Sequence, residues 1–107
     1  MQTTILGLKN CDTCRKARKA LPDAAFRDIR DDPLERAEIE QLLAEFGEKL
    51  VNRASTTWRG LDEATRGNSP ALLLAAHPAL MKRPVILSQK GLYLGWSAQT
   101  RTALGLG

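Results

Sequence analysis

The feature that most constrains the fold is a junction near the start of the chain. An apolar, β-rich run from Thr3 to Leu8, carrying Gly7, gives way to the polar pair Lys9-Asn10 and then at once to Cys11-Asp12-Thr13-Cys14. The run reads as a strand. Asp12 to Leu21 reads as a helix with Cys14, Ala17, Ala20 and Leu21 on one face, and Pro22 ends it because a proline removes a ladder hydrogen bond and clashes with the preceding turn. Ala25 to Ile29 reads as a second strand. The chain thus opens strand, helix, strand, with a cysteine at the first corner.

The middle is helical. Asp32 is placed to act as an N-cap, Pro33 suits the first helical position, and Glu35 follows three residues after the cap. Ile39, Leu42, Leu43 and Phe46 recur at i, i+3, i+4 and i+7, and Gly47 supplies the stop. From Glu48 to Gly67 the pattern weakens, with a short helix expected at Leu61 to Thr65. Ser69-Pro70 opens another helix through Ala76, which His77-Pro78 closes. Val85 to Ser88 and Leu92 to Trp96 read as strands joined by a hairpin turn at Gln89-Lys90-Gly91, and a short helix follows from Ser97 to Leu104. This β-α-β … β-β-α order is that of a thioredoxin-like α/β fold. Residues 33–80 enter as a helical insertion within a single domain spanning residues 1–107.

At 107 residues, with 43% hydrophobic residues, the chain is long enough to bury a core without disulfide staples. No apolar run approaches the roughly 20 residues a membrane span needs, and the first residues lack the basic and apolar regions of a signal peptide. A cytoplasmic location with no membrane partner is therefore expected, and in that setting two cysteines point to redox or metal chemistry before a structural bridge. The net charge of +4 comes with only five aromatic residues and no clustered basic stripe interleaved with them, so a nucleic-acid partner is not expected.

Cys11 stands where strand becomes helix. Unpaired N–H groups and about half a positive charge at a helix N-terminus favour the thiolate, which is the nucleophilic form. Arg15, Lys16, Arg18 and Lys19 follow within two turns. Cys14, one turn on, either resolves a mixed disulfide formed at Cys11 or fills the apolar face beside Ala17 and Leu21. With His77 the two cysteines make three metal ligands at most, and no metal site is expected. Arg83-Pro84 opens the strand that begins at Val85. In a thioredoxin-like fold a cis proline here faces the reactive cysteine, which would let Arg83 reach an anion bound there. Arg53 and Arg59 flank the segment 54–58, and Arg53, after Leu50-Val51, is the one expected to project from an ordered element.

Three separated blocks carry a family likeness: residues 9–18 around the two cysteines, residues 52–63 with Asn52-Arg53, Thr57-Trp58-Arg59-Gly60 and Leu61-Asp62-Glu63, and residues 81–86 around Arg83-Pro84. In their order and spacing they resemble the arsenate reductase (ArsC)/Spx family, and most of all its small YffB-type branch. The resemblance implies that Cys11 is the nucleophile, that Arg53 and Arg83 bind the anionic part of the substrate, and that Pro84 is the cis proline. It further implies a thiol oxidoreductase with no bound cofactor and with glutathione as co-substrate. Arsenate reductases of this group carry a third arginine after the last hairpin, where this chain reads Leu94-Gly95-Trp96-Ser97. Two alternatives stay open. One is arsenate reduction with glutathione and glutaredoxin. The other is an Spx-like regulator that binds the RNA polymerase α subunit and is switched by a Cys11–Cys14 disulfide.

Overall fold

The computed structural model describes residues 2–106. In chain order the elements are β1 (Thr4–Gly7), α1 (Asp12–Ala20), β2 (Ala25–Asp28), α2 (Arg36–Phe46), α3 (Thr56–Arg59), α4 (Glu63–Arg66), α5 (Pro70–Ala76), β3 (Val85–Ser88), β4 (Gly91–Leu94) and α6 (Ala98–Ala103), with single 3-10 turns at Gly47–Leu50 and Pro78–Leu80. They fall into two compact units, one formed by the chain up to Asp32 together with the chain from Arg83, the other by Pro33–Lys82.

The first unit is built on one mixed sheet with strand order β2-β1-β3-β4. β1 and β2 are parallel, with Ile5 opposite Phe26, and α1 is the crossover between them. β3 runs antiparallel to β1, pairing Ile86 with Ile5, and β4 runs antiparallel to β3. A mixed four-stranded sheet carrying helices in this order is the thioredoxin-like α/β arrangement. Ile5, Ala17 and Ile86 form its buried centre, with Phe26, Tyr93, Trp96 and Leu104 packed around them. Because Leu6 pairs with Val85, the residue before Val85 is set beside the C-terminal end of β1. The register thereby brings Pro84 to the end of the sheet at which α1 begins.

Three local expectations need correction here. Ala20 is exposed, so the buried stripe of α1 is narrower and consists of Cys14 and Ala17, with Leu21 half-buried. β4 ends at Leu94 because Gly95, at φ 83°, turns the chain and donates its N–H to the Pro84 carbonyl at 2.8 Å. The hairpin loop is two residues long, with Ser88 paired to Gly91. The Ser88 hydroxyl fixes that loop by donating to the Gly91 carbonyl at 3.0 Å and accepting the Lys90 N–H at 3.1 Å.

In the helical unit, α2 starts later than its sequence suggests. Asp32 is not its cap: the Asp32 N–H closes a turn onto Asp28 O at 2.9 Å and its carboxylate pairs with Arg27 at 3.2 Å. Glu35 takes the N-cap instead and forms a reciprocal capping box with Glu38. Ile39 and Leu42 are buried as their spacing requires, and Gly47 stops the helix at φ 63°. α2 packs on α5, which Ser69 caps by accepting the Leu72 N–H. The helix expected at Leu61 to Thr65 forms as α4, started by Asp62, whose carboxylate accepts the Thr65 N–H at 2.7 Å. Asn52 N–H to Leu80 O at 2.8 Å and Lys82 N–H to Leu50 O at 2.7 Å tie the segment after the first 3-10 turn to the segment after the second. No helix among the described residues is long and apolar enough to cross a membrane.

α1 meets β1 at Gly7. A β-carbon there would collide with the Cys14 sulfur and would lie 3.4 Å from the Phe26 ring. Overpacking of this kind costs about 1–3 kcal/mol. Gly7→Ala is therefore expected to lower the urea midpoint with an unchanged denaturant slope, and adding Cys14→Ala should recover part of the loss in a double-mutant cycle.

Candidate functional site

Cys11 is the N-cap of α1. Its backbone is extended (φ −99°, ψ 120°), its carbonyl accepts the Arg15 N–H at 3.0 Å, and its own N–H donates to Leu8 O at 3.2 Å. No side chain caps this helix, so the half-buried Cys11 sulfur stands where the first free N–H groups point. The loop that delivers it is held by Asp28 at the end of β2. One carboxylate oxygen accepts the Lys9 N–H at 2.9 Å, and the other accepts the N–H groups of Arg30 at 2.8 Å and Asp31 at 3.2 Å. The Lys9 bond is the main reason the Asp28 carboxyl lies below the ordinary carboxylate range.

Cys14 lies one turn in, fully buried, close enough to Cys11 for each sulfur to influence the other's acidity. The two sulfurs differ in acidity for physical reasons. At Cys11, burial opposes the charge, but the Cys14 N–H, the Cys14 thiol and the Arg83 guanidinium outweigh it, so this thiol ionises below its usual range. At Cys14, burial dominates and the neighbouring Cys11 sulfur adds to it, so the thiol is pushed up to about 12. At neutral pH the pair is one activated sulfur and one persistent thiol donor.

Arg83 is half-buried and the next residue, Pro84, is fully buried, joined to it by a cis peptide bond. The structure thus brings Cys11, Cys14, Arg83 and Pro84 to one end of one sheet. Arg53 belongs to the helical unit. It sits in an exposed turn before α3, its Nη2 bonded to Glu48 Oε1 at 2.9 Å and its guanidinium 5.3 Å from the Trp58 ring centre. Arg66 approaches the same ring at 5.6 Å. Trp58 is thus flanked by two cations. Arg59 donates to Ala54 O at 2.8 Å and helps close the same turn. His77 is the C-cap of α5. No group of three or more His, Cys, Asp or Glu side chains suited to a metal occurs among the described residues.

Four residues that shape these surroundings were not legible in sequence. Gly7 matters through a close approach between elements far apart in the pattern, and Asp28 through main-chain acceptors, neither of which has a local signature. Glu48 and Trp58 lie in the stretch without periodicity, although a tryptophan bracketed by arginines was a usable signal.

Comparison with known proteins bears on the family and the fold. The model of the ArsC family matches residues 6–103. Among solved structures, the YffB (PA3664) protein superposes with a TM-score of 0.85 at 31% identity, covering 95% of this chain and 97% of its own. An arsenate reductase (ArsC) related protein from Brucella melitensis gives a TM-score of 0.74 at 37% identity, covering 95% and 93%. The global transcriptional regulator Spx of Bacillus subtilis is 30% identical over 88% of this chain and 79% of its own.

The unequal sulfurs have a measurable signature. Alkylation of Cys11 by iodoacetamide, followed by peptide mass spectrometry, should show a pH midpoint below the free-thiol value of about 8.5, and Arg83→Gln should move that midpoint up. Stability gives the opposite sign for Cys14. An unfolded Cys14 releases its proton near 8.5 while the folded one holds it to about 12, so its contribution is complete below that unfolded value and declines as pH rises toward 12. Melting curves of Cys14→Ala should consequently fall less steeply with alkaline pH than those of the parent protein.

Proposed function

The chain belongs to the ArsC family, and on that premise we propose that it is a glutathione-dependent thiol–disulfide oxidoreductase with Cys11 as its nucleophile. The observation that carries this reading is the inequality of the two sulfurs. Cys11 has its charge stabilised by the Cys14 N–H and the Arg83 guanidinium, whereas Cys14 is held protonated. In the forward step the Cys11 thiolate attacks one sulfur of a disulfide, the old S–S bond breaks, and the departing half leaves as a thiolate. A mixed disulfide remains on Cys11. A second thiolate must then attack it, and a thiol buried at Cys14 is a poor source of one at neutral pH, which favours an external thiol such as glutathione. Arg83 supplies positive charge beside the reacting sulfur. Arg53 takes the role the family pattern gives it, recognition of the anionic part of the substrate, with Glu48 and Trp58 fixing its guanidinium.

Reduction of arsenate itself is less well supported. At the position of the third arginine this chain has Trp96, packed against the cluster of Ile5, Ala17 and Ile86. Each charge-assisted hydrogen bond lost to an oxyanion removes about 1.5–3 kcal/mol. A second reading does have a specific observation behind it. The placement of Cys14 one turn from Cys11, near enough that each sulfur shifts the other's acidity, favours a redox switch of the Spx kind, with the RNA polymerase α subunit as partner.

Mass spectrometry after exposure to glutathione disulfide separates the two. The reductase reading expects a glutathione adduct on Cys11, turnover that survives Cys14→Ser, and complete loss in Cys11→Ser. An internal disulfide without an adduct, together with co-purification of the α subunit that Cys14→Ser abolishes, would overturn it in favour of the switch. In an arsenate assay coupled to glutathione and glutaredoxin, both the parent protein and Trp96→Arg are expected to stay near background.

A further inference from the structure

The cations along α1 are not used alike. On the side facing β2, Lys9 pairs with Asp31 at 2.8 Å, Arg15 pairs with Asp12 at 3.0 Å, and Arg18 lies 4.1 Å above the Phe26 ring. Away from that side runs an open groove of about 710 Å³, lined by Thr13 and Lys16 of α1, by Lys19, which borders both sides of the helix, and by Trp96, Arg101 and Leu106 of the C-terminal segment. No acidic residue lines it, and Lys16, Lys19 and Arg101 enter no ion pair among the described residues. Three uncompensated cations with an indole and a leucine between them make a surface complementary to an anion that also has apolar area.

The groove starts at the reactive end of the sheet. Thr13 is in the first turn of the helix that Cys11 caps. Trp96 follows Gly95, whose N–H is bonded to Pro84 O at 2.8 Å. At a rise of 1.5 Å per residue, Lys16 and Lys19 lie about 7.5 and 12 Å along the axis from Cys11. An oxyanion bonded directly to the sulfur could not meet Lys19, whose α-carbon lies eight residues along the helix from Cys11. A carboxylate one or two residues of extended peptide away from a sulfur could, since each residue spans about 3.3 Å.

Resting on the thiol–disulfide reading above, we propose that this groove is the specificity site for the substrate's carboxylates. Lys16, Lys19 and Arg101 thereby select peptide-sized anionic disulfides, of which glutathione disulfide is the probe, over neutral ones. The chemical step is unchanged: the Cys11 thiolate displaces one half of the disulfide as a thiolate, and no outside oxidant or reductant enters.

The test is the rate of mixed-disulfide formation at Cys11 in the full chain with three probes: glutathione disulfide, neutral hydroxyethyl disulfide and dicationic cystamine. The parent protein should prefer glutathione disulfide to cystamine, and the preference should shrink as salt rises. In Lys16→Gln/Arg101→Gln the ratio of the glutathione disulfide rate to the hydroxyethyl disulfide rate should fall about tenfold, from two exposed charge contacts. Equal rates with all three probes, or a ratio unmoved by the double substitution, would overturn this inference and leave the reductase reading standing. A Cys11 that reacts with none of them would overturn both.

Discussion

The site depends on how closely α1 can lie against the end of β1. Gly7 has no side chain, and the space this leaves is filled by the Cys14 sulfur. With Cys14 seated there, Ala17 reaches the centre of the core beside Ile5 and Ile86, and the helix axis is fixed. The position of Cys11 then follows, because an N-cap residue has little choice of place once its helix is packed. Asp28 removes the remaining freedom by holding the Lys9 N–H from the neighbouring strand. The sulfur at the rim of the fold is thereby positioned by a buried thiol, a glycine and a carboxylate from three different elements.

That same packing produces the chemical difference between the cysteines. The two side chains are alike, three residues apart on one helix, yet one sits on the rim of the fold and the other in its interior. Burial at Cys14 removes water from a group that would otherwise ionise in the ordinary thiol range, and the thiol that stays protonated lowers the pH at which Cys11 ionises. One structural decision therefore protonates the inner sulfur and helps deprotonate the outer one. A motif read only by its spacing gives no hint of this division.

Much of the architecture was legible because it is written in local signals. Pro22 after an apolar helical face, the spacing from Ile39 to Phe46 ending in Gly47, Ser69-Pro70 before Ala71, and the polar break at Gln89-Lys90 each mark an element that the structure contains. Where a local signal misleads, a tertiary partner claims the residue. Asp32 had the chemistry of a cap but was drawn to Arg27 and to the turn closing β2, so Glu35 served instead. α3 and the 3-10 turn at Gly47–Leu50 are too short to show a period. At the site, Cys11, Cys14, Arg83 and Pro84 could be named because each belongs to a motif, while Gly7 and Asp28 could not, their importance lying in distances between segments remote in sequence.

The placement of the two tryptophans has a practical corollary. Trp58 lies in the helical unit near two guanidinium groups, and Trp96 lies in the sheet unit against the core, lining the cationic groove. Each compact unit therefore carries one tryptophan in a distinct electrostatic setting. With phenylalanine at one position or the other, the emission of the remaining indole would report on its own unit during unfolding. The same pair would distinguish a ligand felt at Arg53 from one felt along α1.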